Sequence, residues 1–282
     1  MPICDVCHNK CNLKNGAVGL CRARKFEDGS FKCDNYGRVT SIALDPIEKK
    51  PLNLFYPGAK IISVGSYGCN LRCPFCQNHE ISYGFGDVYE MGYRYISPEE
   101  LADVAEDYRD QGNIGVAFTY NEPLVGYEYV IDASKEVHAR GMKTVLVSNG
   151  CVTERVRDLV LPHIDAMNID LKGFTDKYYS EVLHGDRKLV MDFIKEAAKT
   201  CHLEVTTLVV PGYNDSEEEM EDISSWIAGL DDGRGKEKVA LHISRYFPRF
   251  KMTDVPATDV GKIYRLAEVA RSSLDHVFTG NC

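Results

Sequence analysis

The chain of 282 residues lacks an excess of positive charge: 33 Lys and Arg stand against 42 Asp and Glu, for a formal charge of −9. That balance repels phosphate backbones and anionic lipid surfaces, so neither general nucleic-acid binding nor membrane binding is expected. Long apolar runs are missing as well. Apolar-rich stretches such as 59–64 and 203–210 fall short of the roughly 20 residues that span a bilayer. The start, Met1-Pro2-Ile3-Cys4-Asp5, has neither a basic nor an apolar leader region, so no secretory signal is expected, and a cytoplasmic, reducing location is. No fixed-period repeat or low-complexity tract is visible. The absence of a His/carboxylate triad with metal-ligand spacing speaks against a zinc-dependent hydrolase.

What the chain does have is a large apolar complement, 44% against 27% charged, enough for a substantial core and too much for disorder. It also has eleven cysteines, an odd number unsuited to a complete disulfide framework. Eight of them lie in the first 76 residues, seven in two tight groups, while Cys151, Cys201 and Cys282 are scattered. Clustering of this kind points to metal.

Residues 1–58 are rich in Cys, Gly, Lys and Asn and show no long helical period. They read as a small metal-binding cap ending in a short strand pair around 36–44, followed by an extended, proline-bearing connection over 45–58 that drapes over something else. From 59 to 282, strand-length apolar runs alternate with amphipathic segments of helix length, the signature of a parallel sheet. The expected strands are 60–65, 115–119, 143–148, 166–170, 203–210, 238–244 and 276–279. The expected helices are 98–111, 123–140, 153–161, 175–183 with 187–201, 216–230 and 258–274. Ser97-Pro98-Glu99-Glu100 forms an N-terminal cap, and Gly112 and Gly141 stand where helices should stop. The fold class is therefore α/β: a partial (β/α)6-type TIM barrel with a small Cys-rich N-terminal cap.

The decisive stretch follows the first expected barrel strand. Cys69, Cys73 and Cys76, spaced C-x3-C-x2-C, place three thiolates on one loop, enough for three irons of a [4Fe–4S] cube, with the fourth iron left for an exogenous ligand. A structural zinc site borrowing a fourth cysteine is the bland alternative. The location favours chemistry, because functional groups of βα barrels gather at the C-terminal ends of the strands.

With Phe75 before its last cysteine, this motif resembles the signature of the radical S-adenosylmethionine (radical SAM) superfamily. The resemblance implies a [4Fe–4S] cluster that chelates S-adenosylmethionine and, on reduction, cleaves it to methionine and a 5′-deoxyadenosyl radical that abstracts hydrogen. It also implies roles at the other strand ends, beginning with Phe75 beside the cofactor. Tyr120-Asn121-Glu122-Pro123 stands where the superfamily has G-G-E-P, so Asn121 and Glu122 become cofactor contacts, with Glu122 accepting the methionine ammonium. Ser148 and Asn149 match the ribose-contacting position, although S-N-G alone is turn chemistry. Asp170 and Lys172 correspond to the D-x-K segment of glycyl-radical-enzyme activases, where the pair would orient the methionine carboxylate or serve as a structural ion pair. Arg245 and Tyr246 are candidate substrate contacts, and His242 reads as a satisfied core histidine. No side chain is assigned as a catalytic acid, base or nucleophile.

Cys4, Cys7, Cys11 and Cys21 form a second metal-site candidate, with zinc and an iron–sulfur centre both open, His8 as a substitute ligand and Cys33 as a spare. Together with Ala43-Leu44-Asp45-Pro46-Ile47-Glu48-Lys49-Lys50-Pro51-Leu52 and His242-Ile243-Ser244-Arg245-Tyr246-Phe247-Pro248, this start resembles the AmmeMemoRadiSam-system radical SAM enzymes, relatives of pyruvate formate-lyase activating enzyme. The glycine-rich substrate-approach motif of true activases is absent before the cluster, where residues 54–59 read LFYPGA. The expected activity is hydrogen abstraction from an unidentified substrate, protein or small molecule, with electrons from a flavodoxin- or ferredoxin-type donor. Glycyl-radical activation is the first alternative and a two-cluster electron carrier the second.

Overall fold

A computed structural model describes residues 1–84, 92–230 and 239–282. In chain order the strands are β1 (Arg24–Glu27), β2 (Ser30–Cys33), β3 (Arg38–Val39), β4 (Ser41–Pro46), β5 (Lys60–Gly65), β6 (Arg94–Tyr95), β7 (Asn113–Phe118), β8 (Lys143–Ser148), β9 (Ala166–Asp170), β10 (His202–Val209), β11 (Ala240–Arg245) and β12 (Val277–Gly280). The α-helices are α1 (Pro98–Asp107), α2 (Tyr127–Ala139), α3 (Glu154–Val160), α4 (Arg187–Thr200), α5 (Glu217–Ala228) and α6 (Val260–Arg271).

Among the described residues, eight strands form one open sheet in the order β12-β11-β10-β9-β8-β7-β5-β4. From β5 to β12 every pairing is parallel, and one α-helix lies in each connection. This α/β arrangement is compatible with the expected partial barrel. Each expected strand is found within a few residues of its place; Lys238 of the expected 238–244 strand lies outside the described residues. Helix starts follow the expected chemistry: Ser97 accepts a hydrogen bond from the Glu100 N–H while the Glu100 carboxylate accepts from the Ser97 N–H. Two expected helices are irregular. Pro123–Gly126 is a 3-10 turn before α2, and 178–183 winds as a wide π-turn closed by His184 at φ +51°.

The strand pair expected around 36–44 does not form as such. β3 pairs with β6, and β4 pairs antiparallel with β5 over six residues, adding an edge to the main sheet. Thr40 directs this switch: its N–H bonds the Gly65 carbonyl at 2.9 Å and its hydroxyl the Ser66 carbonyl at 2.7 Å, steering the chain onto the edge of β5. β1 and β2 form an additional hairpin, turned by Asp28 and Gly29, both at positive φ.

The two faces of the sheet differ. One carries Ile62, Val116, Leu146, Met167 and Val205 into a core shared with the helices. On the other, Ile61, Ala117, Val145 and Ala166 are sealed by Ile47 and Leu52 of the expected drape. Glu204, fully buried, holds that drape: it accepts N–H bonds from Asn53 (3.0 Å) and Leu54 (2.8 Å) and ring N–H bonds from His202 (2.9 Å) and His242 (2.5 Å). Burial opposes its charge, but these donors win and bring its pKa down to about 2. His242 is thus a satisfied core residue.

Candidate functional site

Above that sealed end, at the C-terminal ends of the strands, lies a cavity of about 380 Å³ whose walls include Cys69, Cys73, Cys76, Phe75, Glu122 and Asp170. The three cysteines sit on the loop after β5. The loop is anchored by Gly68 N–H to the Ile81 carbonyl (2.8 Å) and Arg72 N–H to the Leu183 carbonyl (2.8 Å). The Cys69 sulfur accepts from the Leu71 N–H (3.4 Å) and from Asn149 Nδ2 (3.7 Å). Burial pushes the Cys73 thiol up to about 11, with Lys172 opposing. Such thiols stay protonated until a metal takes the proton's place.

Glu122 is 2% exposed. One carboxylate oxygen accepts from Ser148 Oγ (2.7 Å) and the Leu124 N–H (3.0 Å), the other from the Asn149 N–H (2.8 Å). Burial raises its pKa to about 7 despite these donors, with Asp170 adding to the rise. A buried carboxyl poised near neutrality on a cavity wall marks a functional position. Across the cavity, Lys172 Nζ pairs with Asp170 at 2.8 Å, and the charge of Asp170 outweighs burial to hold the ammonium above its ordinary pKa. Asn121 also reaches the cavity, but its amide is engaged in fixing the cysteine loop, accepting from the Ser66 N–H (3.0 Å) and donating to the Tyr67 and Gly68 carbonyls (3.1 Å each).

The donor set therefore suits the group that the motif implies: three free thiols on one loop face a buried anion and an ion pair in a single cavity. Residues 63–226 match the sequence model of the Radical SAM superfamily.

The chain belongs to the radical SAM superfamily.

As a member it is an enzyme, and membership implies a [4Fe–4S] cluster and S-adenosylmethionine. An uncharacterized protein of Methanocaldococcus jannaschii is 39% identical over 280 residues, covering 99% of this chain and 80% of the relative. Pyruvate formate-lyase-activating enzyme of Clostridium pasteurianum is 26% identical over 233 residues, 78% of this chain and 93% of that enzyme. Among solved structures, a radical SAM methyltransferase from Sphaerobacter thermophilus superposes with a TM-score of 0.58 at 15% identity, covering 80% of this chain and 67% of the other. That last likeness concerns the fold. Among the described residues, no helix of this radical SAM protein is long and apolar enough to cross a membrane.

The expected substrate contacts are not brought to the cavity. Alternation along β11 turns Ser244 into it, while Arg245 donates from Nε to the Thr258 carbonyl (2.7 Å) and the buried Tyr246 hydroxyl bonds the Met252 carbonyl (2.6 Å). Tyr246 meets the site only indirectly, edge-on to Phe75. Conversely, Lys50 and Tyr120 line the cavity without having been singled out as contacts. Tyr120 adopts φ +72°, a left-handed conformation costly for a bulky residue. Its hydroxyl donates to Asp45 (2.9 Å), which also pairs with Lys50 (2.9 Å). The signal was the position: a tyrosine stands where the superfamily motif has glycine.

The N-terminal thiols lie outside this cavity. Cys4, Cys7 and Cys21 are buried and Cys11 is partly so. They are close enough to raise one another's pKa: Cys7 responds to Cys21 and Cys4, and Cys21 to Cys4 and Cys11, beneath a larger effect of burial. Among the described residues no three Cys, His, Asp or Glu side chains converge tightly enough to hold a single metal ion, the Cys69 group included. His8 is engaged elsewhere, with Nδ1 3.1 Å from the Cys151 sulfur and Nε2 2.7 Å from the His184 carbonyl oxygen. Cys33 donates to Asn35 (3.2 Å).

Proposed function

We propose that this radical SAM enzyme binds a [4Fe–4S] cluster through Cys69, Cys73 and Cys76 and cleaves S-adenosylmethionine reductively in the cavity above the sheet. The observation that carries the reading is the meeting, in one cavity, of the three-thiol loop and the fully hydrogen-bonded Glu122. Bound there, the cluster and S-adenosylmethionine supply a 5′-deoxyadenosyl radical that abstracts hydrogen from a substrate.

The chain's own residues set up that event. Glu122, held by Ser148 and by the Asn149 N–H, presents its carboxylate to the methionine ammonium. Lys172, oriented by Asp170, offers a cation to the methionine carboxylate, and Asn149 fixes the Cys69 sulfur while Phe75 closes the wall beside the loop. The drape over 47–52 closes the opposite end and keeps water from entering through the sheet.

The substrate stays unassigned between a protein and a small molecule: relatives named as activating enzymes for pyruvate formate-lyase and 4-hydroxyphenylacetate decarboxylase, and one named as a putative glycyl-radical enzyme activating enzyme, support a protein glycine, while the absence of a glycine-rich approach motif at 54–59 speaks against it. The chain spans 60% of the 4-hydroxyphenylacetate decarboxylase activating enzyme. A reductant of flavodoxin or ferredoxin type completes the scheme, and the four N-terminal thiols form a second metal centre. The test is anaerobic reconstitution with iron and sulfide, reduction with dithionite, and chromatography of the products. Methionine and 5′-deoxyadenosine in equal amounts are expected; a fully loaded protein that leaves S-adenosylmethionine intact would overturn the reading.

A further inference from the structure

The N-terminal cysteine segment is bonded directly to the Cys69 loop. The Cys69 N–H donates to the Cys21 carbonyl at 3.2 Å. Gly68, at φ +93°, makes this approach possible, since a Cβ there would stand 2.4 Å from the same carbonyl oxygen. Arg72 donates to the Cys69 carbonyl (3.0 Å) and to the Leu20 carbonyl, and the Leu20 N–H donates to the Cys11 sulfur (3.5 Å). A third link runs through amides. Asn9 Nδ2 donates to the Cys7 sulfur (3.7 Å) and to the Asn70 carbonyl (2.9 Å), while Asn149 Nδ2 joins Asn70 Oδ1 (2.9 Å) to the Cys69 sulfur (3.7 Å).

We infer that Cys4, Cys7, Cys11 and Cys21 hold a second [4Fe–4S] cluster that relays single electrons to the cluster on the Cys69 loop; this rests on the function proposed above and adds the route of reduction. A structural metal needs only to staple its own segment. Here, by contrast, one path runs from the Cys21 side chain along its main chain, across one hydrogen bond, and down to the Cys69 sulfur. N–H donors also reach sulfurs in both groups, one of the means by which proteins set cluster potentials.

The electron balance is simple. A one-electron donor is oxidised, the N-terminal cluster is reduced by that electron and then reoxidised as the cluster on the Cys69 loop accepts it. Cys11, the least buried of the four, lines a surface depression together with Lys10, Arg22 and Arg72. On a chain of charge −9, this cationic rim around exposed Val18 and Leu20 suits an acidic donor protein of the flavodoxin or ferredoxin class.

The full chain, reconstituted anaerobically, is assayed first for metal and acid-labile sulfide. About eight irons and eight sulfides per chain are expected, as two cubes require, with reduced-state electron paramagnetic resonance showing two spin-coupled centres. Cys11→Ser should remove the coupling and lower the iron content toward four. Reduced flavodoxin and dithionite are then compared as electron sources for S-adenosylmethionine cleavage, and the flavodoxin-to-dithionite rate ratio should fall at least tenfold in Cys11→Ser. Four irons with one zinc per wild-type chain, uncoupled spins, or an unchanged rate ratio would each overturn the relay. Because metal, sulfide and spin coupling are read without S-adenosylmethionine, failure of the relay is distinguishable from failure of the radical reaction itself.

Discussion

Cys69, Cys73 and Cys76 follow a six-residue strand paired on both sides, whereas Cys4, Cys7, Cys11 and Cys21 sit on chain with isolated bridges such as Ile3 to Asn12 and Cys7 to Val152. The first group takes its position from the register of the sheet. The second takes it from hydrogen bonds to the first and to the turn after β8. The difference teaches that the two groups are positioned by different means: the sheet sets where the Cys69 loop begins, while the bonds between that loop and the N-terminal segment, such as Cys69 N–H to the Cys21 carbonyl, tie each to the other.

The sharpest way to break this comparison is to remove a ligand from each side. Cys73→Ala is expected to abolish 5′-deoxyadenosine formation with dithionite as reductant, read by chromatography; residual turnover near the wild-type rate would show that the two groups are not so different. Next comes the junction itself. Gly68→Ala forces a left-handed alanine against the Cys21 carbonyl and should cost about 2–4 kcal/mol, combining backbone strain with overpacking. Urea unfolding measures this, and a loss below about 0.5 kcal/mol would mean that the segments separate freely.

Glu204 tests the end of the sheet that neither group touches. Its pKa is depressed from 4.5 to about 2, so its contribution is present above pH 4.5 and is lost as pH falls toward 2, about 3 kcal/mol in all. Glu204→Gln should flatten that part of the acid-unfolding curve; an unchanged slope would contradict the assignment. Glu122→Gln should weaken S-adenosylmethionine binding by about 10–100-fold in calorimetry, as expected for losing a buried charge-assisted hydrogen bond. With the wild-type carboxyl raised to about 7, affinity should fall as pH drops below 7, because the protonated acid no longer pairs with an ammonium, and the variant should show no such slope. Smallest of all, Arg245→Ala should change turnover less than about twofold, since its guanidinium bonds the Thr258 carbonyl instead of the cavity.

Much of the site was legible because barrel chemistry sits at strand ends, so locating the strands also located Glu122, Ser148, Asn149 and Asp170. Periodicity gave the strands, and thiol spacing identified the loop. Contacts between distant parts of the chain were not legible in this way. Tyr120 reaches Asp45 across 75 positions, and nothing local to either residue announces it. Arg245 fails for a different reason: at the end of a strand, one residue of phase decides between the cavity and the opposite face. The edge strand β4 was hidden because its partner is chosen by Thr40 and the open edge of β5, not by its own short apolar pattern. The Asp28-Gly29 hairpin of β1 and β2 was not among the expected elements, although an Asp-Gly dipeptide is a hairpin signal.

The other rim of the sheet has a practical corollary. β12 runs to Gly280, and Asn281 contributes to the wall of the cavity that holds Cys69, Cys73 and Cys76. Any polypeptide joined after Cys282 would emerge beside this cavity, so the choice of terminus for immobilisation bears directly on access to it.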